Sequence, residues 1–506
     1  MIKIFRSSQV KEIDSYTIKK EPIVSVNLME RAATALLQWI ILRYNKEKKF
    51  KIFIGPGNNG GDGLALARLL TEKKLKVEVY ILKLKKLTGD PEINLKRLIN
   101  LEKVKIKYIE KESHFPEIEK NEIIIDALFG SGLDRPLSGL PALLVKYINN
   151  INNEVIAVDM PSGLFGEDNS NNDPKLIIKA NYTLSFQFPA LSFLFPENDK
   201  YVGEWYILPI GLHPEIINST GTQWNLIEKE DVKELIKPRT KYSHKGTYGH
   251  ALLISGSYGK MGAAVLASKA CIRCGTGLLT THIPKKGYDI IQTAAPEVMV
   301  SIDKSNNFFT ETPDLKLYSA IGIGPGLGLN NKTQDAFLCL LNKIKVPIVI
   351  DADGLNILSK NKKWLKKIPE NSILTPHPKE FERLAGKSAN SYIQNKLQIE
   401  FSKKYKVFII LKRANTLISC PDGKCYFNPT GNPGMATGGS GDVLTGMILS
   451  FLAQNYSPKN AAFLGVFLHG LAGDIASDDI GEEALIATDI IDYLSDSFME
   501  IKSLDL

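Results

Sequence analysis

The chain has 506 residues, 44% apolar and 23% charged, with a formal net charge of +8, so it can bury a sizeable core and is not intrinsically disordered. This mild positive charge gives no indication of nucleic-acid binding, and five sparse cysteines argue against a secreted disulfide framework. No stretch resembles a signal peptide or is long enough to span a bilayer, so a cytoplasmic protein without membrane association is expected.

Short β-rich runs alternate with helical patterns along the chain, which is typical of α/β domains with parallel sheets. After a helix predicted at 27–45, strands are predicted at 50–54, 77–82, 123–127, 155–158 and 182–186. A polar, lysine-rich stretch at 228–249 is interpreted as a linker and the entry to a second domain. A second series of strands follows, predicted at 250–255, 278–283, 320–323, 347–350, 372–374 and 407–411. The predicted fold is two doubly wound α/β domains, over residues 1–220 and 221–506.

A glycine-rich sequence, GPGNNGGDG at 55–63, follows the first of these strands and precedes a helix predicted at 64–72. It contains G-x-G-x-x-G, a Rossmann-like pattern in which free backbone N–H groups face phosphates at a helix N-terminus. A tight turn without a ligand is the alternative. The next strand is followed by Lys83, whereas a dinucleotide dehydrogenase has an acidic residue there to hold the ribose. NAD-dependent hydride transfer is therefore disfavoured.

Two later strands also end in polar residues. Asp126 closes the strand before the sequence ALFGSGLDRP at 127–136, and Asp159 follows the strand before MPSG at 160–163. Open α/β sheets bind ligands at the carboxyl ends of their strands. Each aspartate could instead cap the next helix. Three polar loops at one sheet edge favour a site over three caps.

These motifs, with LMERA at 28–32, resemble the NAD(P)HX epimerase family over about residues 1–215. The resemblance implies interconversion of the R and S forms of hydrated NADH and NADPH, called NADHX and NADPHX. It places the following residues against the dinucleotide: Asn58, Asn59, Gly60, Gly61, Asp62, Gly130, Ser131, Gly132, Leu133, Asp134, Arg135, Pro136 and Asp159. It also implies a potassium ion at Asn59, Asp126 and Ser162, whose oxygen atoms suit a monovalent cation. Asp159 is the predicted proton-transfer group, because epimerisation at a hydrated carbon needs acid–base assistance.

The strongest motif of the second half is NPGMATGGSGD at 432–442, which precedes an apolar helix predicted at 443–452. Consecutive glycines before a helix expose amides and the positive end of the helix dipole to an anion. Asp442 is predicted to be a general base that takes a proton from a hydroxyl group about to be phosphorylated, with a helix cap as the alternative. The chain has neither a Walker A loop nor the protein-kinase motifs, which excludes those phosphotransfer classes.

Four upstream loops, at 255–264, 322–328, 351–356 and 375–380, place glycine or polar residues after predicted strands. His377, between two prolines, is interpreted as a ligand contact, with a structural histidine as the alternative. The KRANT sequence at 412–416 is either a nucleotide contact or a solvated turn. Cys271 and Cys274 form a C-x-x-C, which is interpreted as two small residues on a buried helix rather than half a zinc site.

This half resembles the NAD(P)HX dehydratase family, a ribokinase-like fold, over about residues 225–500. The matching motifs are HKG at 244–246, GPGLG at 324–328, TPHPKEF at 375–381 and GGSGD at 438–442. The resemblance places Ala263, Gly326, Gly328, His377 and Asp442 against the hydrated dinucleotide. It assigns the adenine nucleotide to Lys412, Arg413, Ala414, Asn415, Thr416 and Gly441, although Arg413 and Asn415 stand where the family often has small residues.

The family phosphorylates the hydrate hydroxyl group and then eliminates phosphate. Fused bacterial members use ADP, which yields AMP and phosphate, and Mg²⁺ is expected from the phosphoryl transfer. Together the two resemblances predict a bifunctional repair enzyme that epimerises NAD(P)HX and dehydrates the S form. Its expected partners are NADHX, NADPHX, ADP and further copies of itself. The alternative is a small-molecule kinase of the hydroxymethylpyrimidine or pyridoxal type, joined to a non-catalytic dinucleotide-binding module.

Overall fold

In a computed structural model, which describes residues 1–503, the chain divides into two compact units. The N-terminal unit comprises residues 3–222 and 390–392, and the other described residues form the C-terminal unit. The interpretation of 228–249 as a linker is wrong in part, because a helix occupies Lys229–Leu235. Ile227 and Val232 are buried in the apolar core of the C-terminal unit, which gives this polar stretch a folded structure.

The N-terminal part of the chain forms eight strands and seven helices. The strands are β1 (Ile2–Ile4), β2 (Lys49–Ile54), β3 (Lys76–Leu82), β4 (Lys105–Ile109), β5 (Ile123–Ala127), β6 (Val155–Val158), β7 (Tyr182–Phe186) and β8 (Glu204–Leu208). The helices are α1 (Ser7–Lys20), α2 (Ser25–Arg43), α3 (Asn58–Glu72), α4 (Asp90–Ile99), α5 (Leu140–Asn149), α6 (Asp199–Val202) and α7 (Pro214–Ser219).

One sheet of the N-terminal unit has the order β4-β3-β2-β5-β6-β7-β8, and its strands are all parallel. The strand order reverses between β2 and β5, which makes their carboxyl ends the topological switch point of a Rossmann-like sheet. The predicted Rossmann-like fold is therefore confirmed. Strand β4 was not predicted, because lysines on this edge strand interrupt its apolar pattern.

Helix α3 begins six residues before the predicted start, so the glycine-rich sequence forms its first turns. A Cβ atom on Gly60 would lie 2.0 Å from the Gly55 carbonyl oxygen. A Cβ atom on Gly63 would lie 2.5 Å from that of Ala127 on β5. These glycines have weak helix propensity, but they allow the helix backbone to pack directly against the loop and the sheet.

The C-terminal unit forms a second series of strands and helices. The strands are β9 (Trp224–Leu226), β10 (His250–Ile254), β11 (Leu278–Ile283), β12 (Met299–Ile302), β13 (Ala320–Ile323), β14 (Ile348–Ile350), β15 (Ile373–Leu374), β16 (Phe408–Leu411), β17 (Leu417–Ser419) and β18 (Cys425–Phe427). The helices are α8 (Lys229–Leu235), α9 (Met261–Arg273), α10 (Tyr288–Ala294), α11 (Asn331–Lys343), α12 (Ala352–Lys360), α13 (Pro378–Ala385), α14 (Ser391–Tyr405), α15 (Ser440–Ala453), α16 (Pro458–Ile480), α17 (Ala487–Asp492) and α18 (Leu494–Lys502).

These strands follow the order β9-β18-β17-β16-β15-β14-β13-β10-β11-β12. The pairs β16–β17 and β17–β18 are antiparallel, and the other pairs are parallel. The order reverses between β10 and β13, so a second switch point lies there, and the prediction of two doubly wound domains is confirmed. Strands β9, β12, β17 and β18 were not predicted.

Helix α15 is buried along most of its length and packs against α9 and α16. A Cβ atom on Gly446 would lie 2.0 Å from the Ala267 carbonyl oxygen, so the backbones of α15 and α9 are in direct contact. Cys271 lies in α9 and Cys274 follows it, and burial raises the pKa of both free thiols. Over residues 1–503, no helix combines the length and the apolar character needed to cross a membrane.

Candidate functional sites

The loops after β2, β5 and β6 line a cavity of about 450 Å³ in the N-terminal unit. The predicted residues that line it are Asn58, Asn59, Asp62, Gly130, Ser131, Gly132, Leu133 and Asp159. Asp134, Arg135 and Pro136 are exposed and are not among its lining residues. Gly60 and Gly61 are buried and not among them either, because they pack against Gly55 and Met29. The structure therefore assembles the predicted site at the switch point but separates these five residues from its surface.

Asp159 lies directly after β6 with a φ angle of 64°, in the left-handed region that few non-glycine residues adopt. Its Oδ2 atom accepts a hydrogen bond of 3.0 Å from the backbone N–H of Ser131. Burial raises the pKa of Asp159, and the bond from Ser131 reduces this increase. The carboxyl group is thus held in the cavity by strained backbone, and it retains a proton more readily than an exposed aspartate.

Further carboxyl groups accompany Asp159 in the cavity. Burial, followed by the charge of Asp159, raises the pKa of Asp14 to about 6. Burial, followed by the charges of Asp159, Asp14 and Asp90, raises the pKa of Asp62 well above its usual value. Closely spaced carboxylates cannot all ionise without repulsion, so this part of the cavity retains protons near neutral pH. The sequence did not indicate Asp14 or Asp90, because neither belongs to a glycine-rich motif.

Asp126 and Ser162 are buried below the cavity rather than on its surface. The Ser162 hydroxyl and backbone N–H donate hydrogen bonds of 2.6 and 2.8 Å to the Asp126 carboxyl group, whose pKa burial raises to about 6. The side-chain oxygen and nitrogen of Asn59 are both buried, and neither has a hydrogen-bond partner among residues 1–503. Buried polar atoms are normally paired, so this amide is placed to contact something that the protein itself does not supply.

In the C-terminal unit, helix α15 begins after Gly439, which has a φ angle of 99°. The first i to i−4 hydrogen bond joins the Val443 N–H to the Gly439 carbonyl oxygen at 3.1 Å. The N–H groups of Ser440, Gly441 and Asp442 precede that bond and form the open, positive end of the helix. The predicted apolar helix therefore starts three residues earlier than expected, and Asp442 lies in its first turn.

Several charged groups surround Asp442. Burial, followed by the charge of Asp351, raises the pKa of Asp442 to about 7, against the opposing effect of Lys412. The Lys412 Nζ atom donates to Asp351 Oδ1 at 2.7 Å, and Thr445 donates to Asp351 Oδ2 at 2.8 Å. A Cβ atom on Gly441 would lie 3.1 Å from Lys412 Nζ, which shows how closely the lysine approaches the helix N-terminus. Lys412 is thus paired with Asp351 beside the helix N-terminus rather than extended into solvent.

His377 caps the N-terminus of α13. Its Nδ1 atom accepts hydrogen bonds of 3.1 and 3.4 Å from the backbone N–H groups of Lys379 and Glu380. Burial and then the charge of Lys412 lower the pKa of His377. An Nδ1 acceptor requires the proton of the neutral ring to be on Nε2, which lies 3.6 Å from Glu380 Oε1.

The loops at the β10–β13 switch point are joined by hydrogen bonds. Ser257 donates to the Gly326 carbonyl oxygen at 2.7 Å, and the Gly328 N–H donates to Asp353 Oδ2 at 2.8 Å. A Cβ atom on Gly326 would lie 3.1 Å from that of Ala263. These contacts bring Ala263, Gly326 and Gly328 together at this switch point.

Residues 413–416 close the antiparallel hairpin of β16 and β17, in which Leu411 pairs with Leu417. Within the loop, the Thr416 hydroxyl donates to the Arg413 carbonyl oxygen at 2.9 Å, and Asn415 has a φ angle of 53°. A further residue, His469 on α16, was not predicted. Its Nε2 atom is 2.9 Å from the Ser440 carbonyl oxygen, and burial lowers its pKa to about 4, so a neutral histidine supports the start of α15.

Two doubly wound units, each with glycine-rich loops and a carboxyl group of raised pKa at its switch point, define a two-domain α/β enzyme for nucleotide-type ligands. Comparison with known families agrees with this class. The family described as NAD(P)H-hydrate dehydratase matches residues 251–496, and the family described as YjeF-related protein N-terminus matches residues 25–192.

Relatives match this chain over nearly its whole length. The chain is 33% identical to a bifunctional NAD(P)H-hydrate repair enzyme of Moorella thermoacetica, covering 96% of this chain and 95% of the relative. It is 34% identical to one of Coxiella burnetii, covering 98% and 99%, respectively. A solved ADP/ATP-dependent NAD(P)H-hydrate dehydratase of Bacillus subtilis is 32% identical, with a TM-score of 0.49, and covers 55% of this chain and 98% of that one. The chain belongs to the family of bifunctional NAD(P)H-hydrate repair enzymes, which confirms the predicted family.

Proposed function

We propose that the N-terminal unit, residues 1–220 in the sequence-based division, epimerises the R and S forms of NAD(P)HX. The C-terminal unit, residues 221–506, then dehydrates the S form with ADP as the phosphoryl donor. The observation that carries the proposal is Asp442, whose carboxyl group has a pKa of about 7 and lies at the open N-terminus of α15. A base with this pKa can accept a proton near neutral pH, beside helix N–H groups that attract phosphate.

In the N-terminal cavity, Asp159 is the proposed proton carrier, because its raised pKa and fixed position suit exchange with a hydrated carbon centre. The unpartnered Asn59 amide, together with the oxygen atoms of Asp126 and Ser162, fits a potassium ion. Such an ion would supply positive charge next to the bound pyrophosphate. The N-terminus of α3, at Asn58, is the proposed contact for that pyrophosphate.

In the C-terminal site, Asp442 removes the proton from the hydrate hydroxyl group, whose oxygen then attacks the β-phosphorus of ADP and releases AMP. The C–O bond of the phosphate ester then breaks, and phosphate leaves. Loss of a neighbouring ring proton restores the double bond of the dihydronicotinamide. Lys412 and the N–H groups of Ser440 and Gly441 are placed to bind the transferred phosphoryl group. The His377 side chain, which is 45% exposed, is the proposed contact that orients the substrate.

The residues of this site fit a magnesium ion that arrives with the nucleotide. Both oxygens of Asp351 already accept hydrogen bonds, and over residues 1–503 no cluster of three or more metal-ligating side chains is present. Magnesium in phosphotransfer sites keeps several waters and binds through nucleotide phosphates and one or two carboxylates. Asp351 and Glu380 are therefore proposed to contact the ion through water, and the ion would neutralise phosphate charge.

A coupled assay tests the whole function. The protein is incubated with mixed NADHX epimers, ADP and magnesium, and the absorbance of the dihydronicotinamide is followed. Complete conversion of both epimers supports the proposal. A stable phosphorylated product without phosphate release would instead indicate a small-molecule kinase, and conversion of only the S form would indicate an inactive N-terminal unit.

We expect ADP to be a better phosphoryl donor than ATP for dehydration of S-NADHX. The reason is the resemblance to fused bacterial family members, which use ADP. The measurement is kcat/KM for each donor at matched free magnesium, with AMP and phosphate quantified as products. Equal or higher kcat/KM with ATP would contradict this expectation.

We also expect the two activities to survive separation of the units. A cut between Thr222 and Gln223 follows the main division of the chain, although residues 1–2 belong to the C-terminal unit and residues 390–392 to the N-terminal unit. It keeps Trp224 and Leu226 in the C-terminal unit, where both are buried. Each fragment retains its own switch point and glycine-rich loops. The mixed fragments should clear both epimers as completely as the intact chain, once circular dichroism has shown that each is folded. A folded fragment without its activity would show that the residue assignment of the domains is wrong.

A further inference from the structure

A groove of about 800 Å³ adjoins the N-terminal cavity, between α4 and the carboxyl ends of β3 and β4. Lys85 lines both the cavity and the groove, so the two spaces meet at this side chain. The predicted site ends at the cavity, and none of the residues assigned above lines the groove. A ligand that fills the cavity could therefore extend into the groove past Lys85.

The groove has an excess of positive charge. Its lining contains four lysines and two glutamates. Glu110 forms an ion pair with Lys83, and Glu92 forms one with Lys96 at 2.9 Å. Lys85 and Lys86 are exposed, and neither forms an ion pair with another residue in the described part of the chain. Two cationic side chains thus remain available for an anionic group of a ligand.

The groove also offers apolar surface. Tyr108 on β4 is 47% exposed, and Leu84 is 46% exposed in the loop after β3. Ile99 on α4 is 49% exposed in the same groove, so the three side chains form an apolar patch, and such patches often mark ligand-binding grooves. An aromatic ring beside aliphatic side chains and lysines provides a stacking surface for a planar base that carries a phosphate.

The position of the groove within the fold indicates which part of a dinucleotide would occupy it. In Rossmann-type sheets, the residues after the second strand contact the adenosine ribose, where an acidic side chain holds the 2′-hydroxyl and a cationic one accommodates a 2′-phosphate. Here that strand is β3, and it is followed by Lys83, Leu84, Lys85 and Lys86. The chain thus has cations at the place where a preference for NAD would require an acid.

The charge of the neighbouring cavity supports the same orientation. Asp14, Asp62 and Asp159 line the cavity beside Lys11 and Lys85, so a further phosphate close to these carboxyl groups would be repelled by any of them that ionises. The hydrated nicotinamide ring is uncharged and incurs no such penalty. A substrate with its ring near Asp159 would direct its adenosine end towards Lys85.

We infer that the groove is a subsite for an adenosine 2′-phosphate, and that the N-terminal unit prefers NADPHX to NADHX. This inference rests on the proposed epimerase function of that unit. Lys85 and Lys86 would bind the 2′-phosphate, and Tyr108 would stack against the adenine base.

Inhibition of epimerisation tests the subsite in the full-length protein. R and S forms of NADHX are interconverted without ADP, so dehydration does not occur, and adenosine 2′,5′-bisphosphate and AMP are compared as inhibitors. Only the N-terminal site contributes to this measurement. Because charge-assisted phosphate contacts are strong, we expect the Ki of the bisphosphate to be lower by about tenfold or more.

The variant Lys85→Gln/Lys86→Gln should abolish the difference between the two inhibitors and lower the ratio of kcat/KM for NADPHX to that for NADHX. The matched control is Lys73→Gln/Lys76→Gln, which removes two exposed lysines near the amino end of β3. This control should retain both the tenfold difference and the substrate ratio.

Equal Ki values in the unaltered protein, or a difference that persists in Lys85→Gln/Lys86→Gln, would overturn the subsite and leave the epimerase function intact. Absence of any epimerisation by the unaltered protein would overturn the proposed function, and the subsite with it.

Discussion

Asp442→Asn should lower the rate of NAD(P)HX dehydration by about 10²- to 10⁴-fold, the usual cost of losing a positioned general base. The asparagine keeps the shape of the side chain in the first turn of α15 but cannot accept the hydroxyl proton. Epimerisation should not change, because Asp442 belongs to the other unit. The measurement is a single-turnover dehydration rate on S-NADHX with ADP.

The pH profile gives a second readout of the same residue. Because the pKa of Asp442 is about 7, the basic form predominates only above that pH. The value of kcat/KM should therefore fall about tenfold per pH unit below pH 7 and reach a plateau above it. The residual activity of Asp442→Asn should lack this dependence.

The melting temperature distinguishes unfolding of Asp442→Asn from loss of its general base. A raised carboxyl pKa means that the folded state binds the proton more tightly, so this group's contribution to stability is lost as pH rises through 7. Asp442→Asn should therefore melt at the same or a higher temperature than the unaltered protein above pH 7.

The matched control is Asp289→Asn, which replaces an exposed aspartate in the first turn of α10 and should retain full activity. Dehydration within a few-fold of normal in Asp442→Asn would exclude its role as the base.

Asp159→Asn should reduce epimerisation by about 10²- to 10⁴-fold, again as expected for loss of an acid–base group. Asparagine is the suitable replacement because it tolerates the left-handed backbone at φ 64° and can still accept the hydrogen bond from Ser131. The protein should therefore fold normally and dehydrate the S form at its usual rate. The measurement is chromatographic separation of the R and S forms with time, in the absence of ADP.

The matched control for this variant is Asp199→Asn, an exposed aspartate at the start of α6 in the same unit. It should epimerise normally. A second comparison is Asp62→Asn, since Asp62 lines the same cavity and its pKa is also raised. Full activity of Asp159→Asn with a loss in Asp62→Asn would transfer the proton-carrying role to Asp62.

The sequence by itself determined the class of fold and the loops that form both candidate sites. Buried parallel strands form continuous apolar runs, so β5, β6, β7, β11 and β13 could be predicted with their observed bounds. Glycine-rich loops next to such strands carry a local signal, because backbone approach to a phosphate or to a neighbouring helix requires glycine. The predicted Asp159 and Asp442 were found in this way, since each stands directly beside a strand end or a glycine-rich turn.

Only the tertiary structure decided which residues of these loops reach a ligand surface. Gly60 and Gly61 belong to the motif, yet they serve helix packing, and Asp14 reaches the cavity from a helix with no motif. The ion pair of Lys412 and Asp351 likewise joins positions that are distant in the chain. The groove at Lys85 is lined by residues that belong to no sequence motif. Local periodicity reports burial and backbone conformation, whereas the pKa of a carboxyl group and the charge of a groove depend on neighbours that only folding brings together.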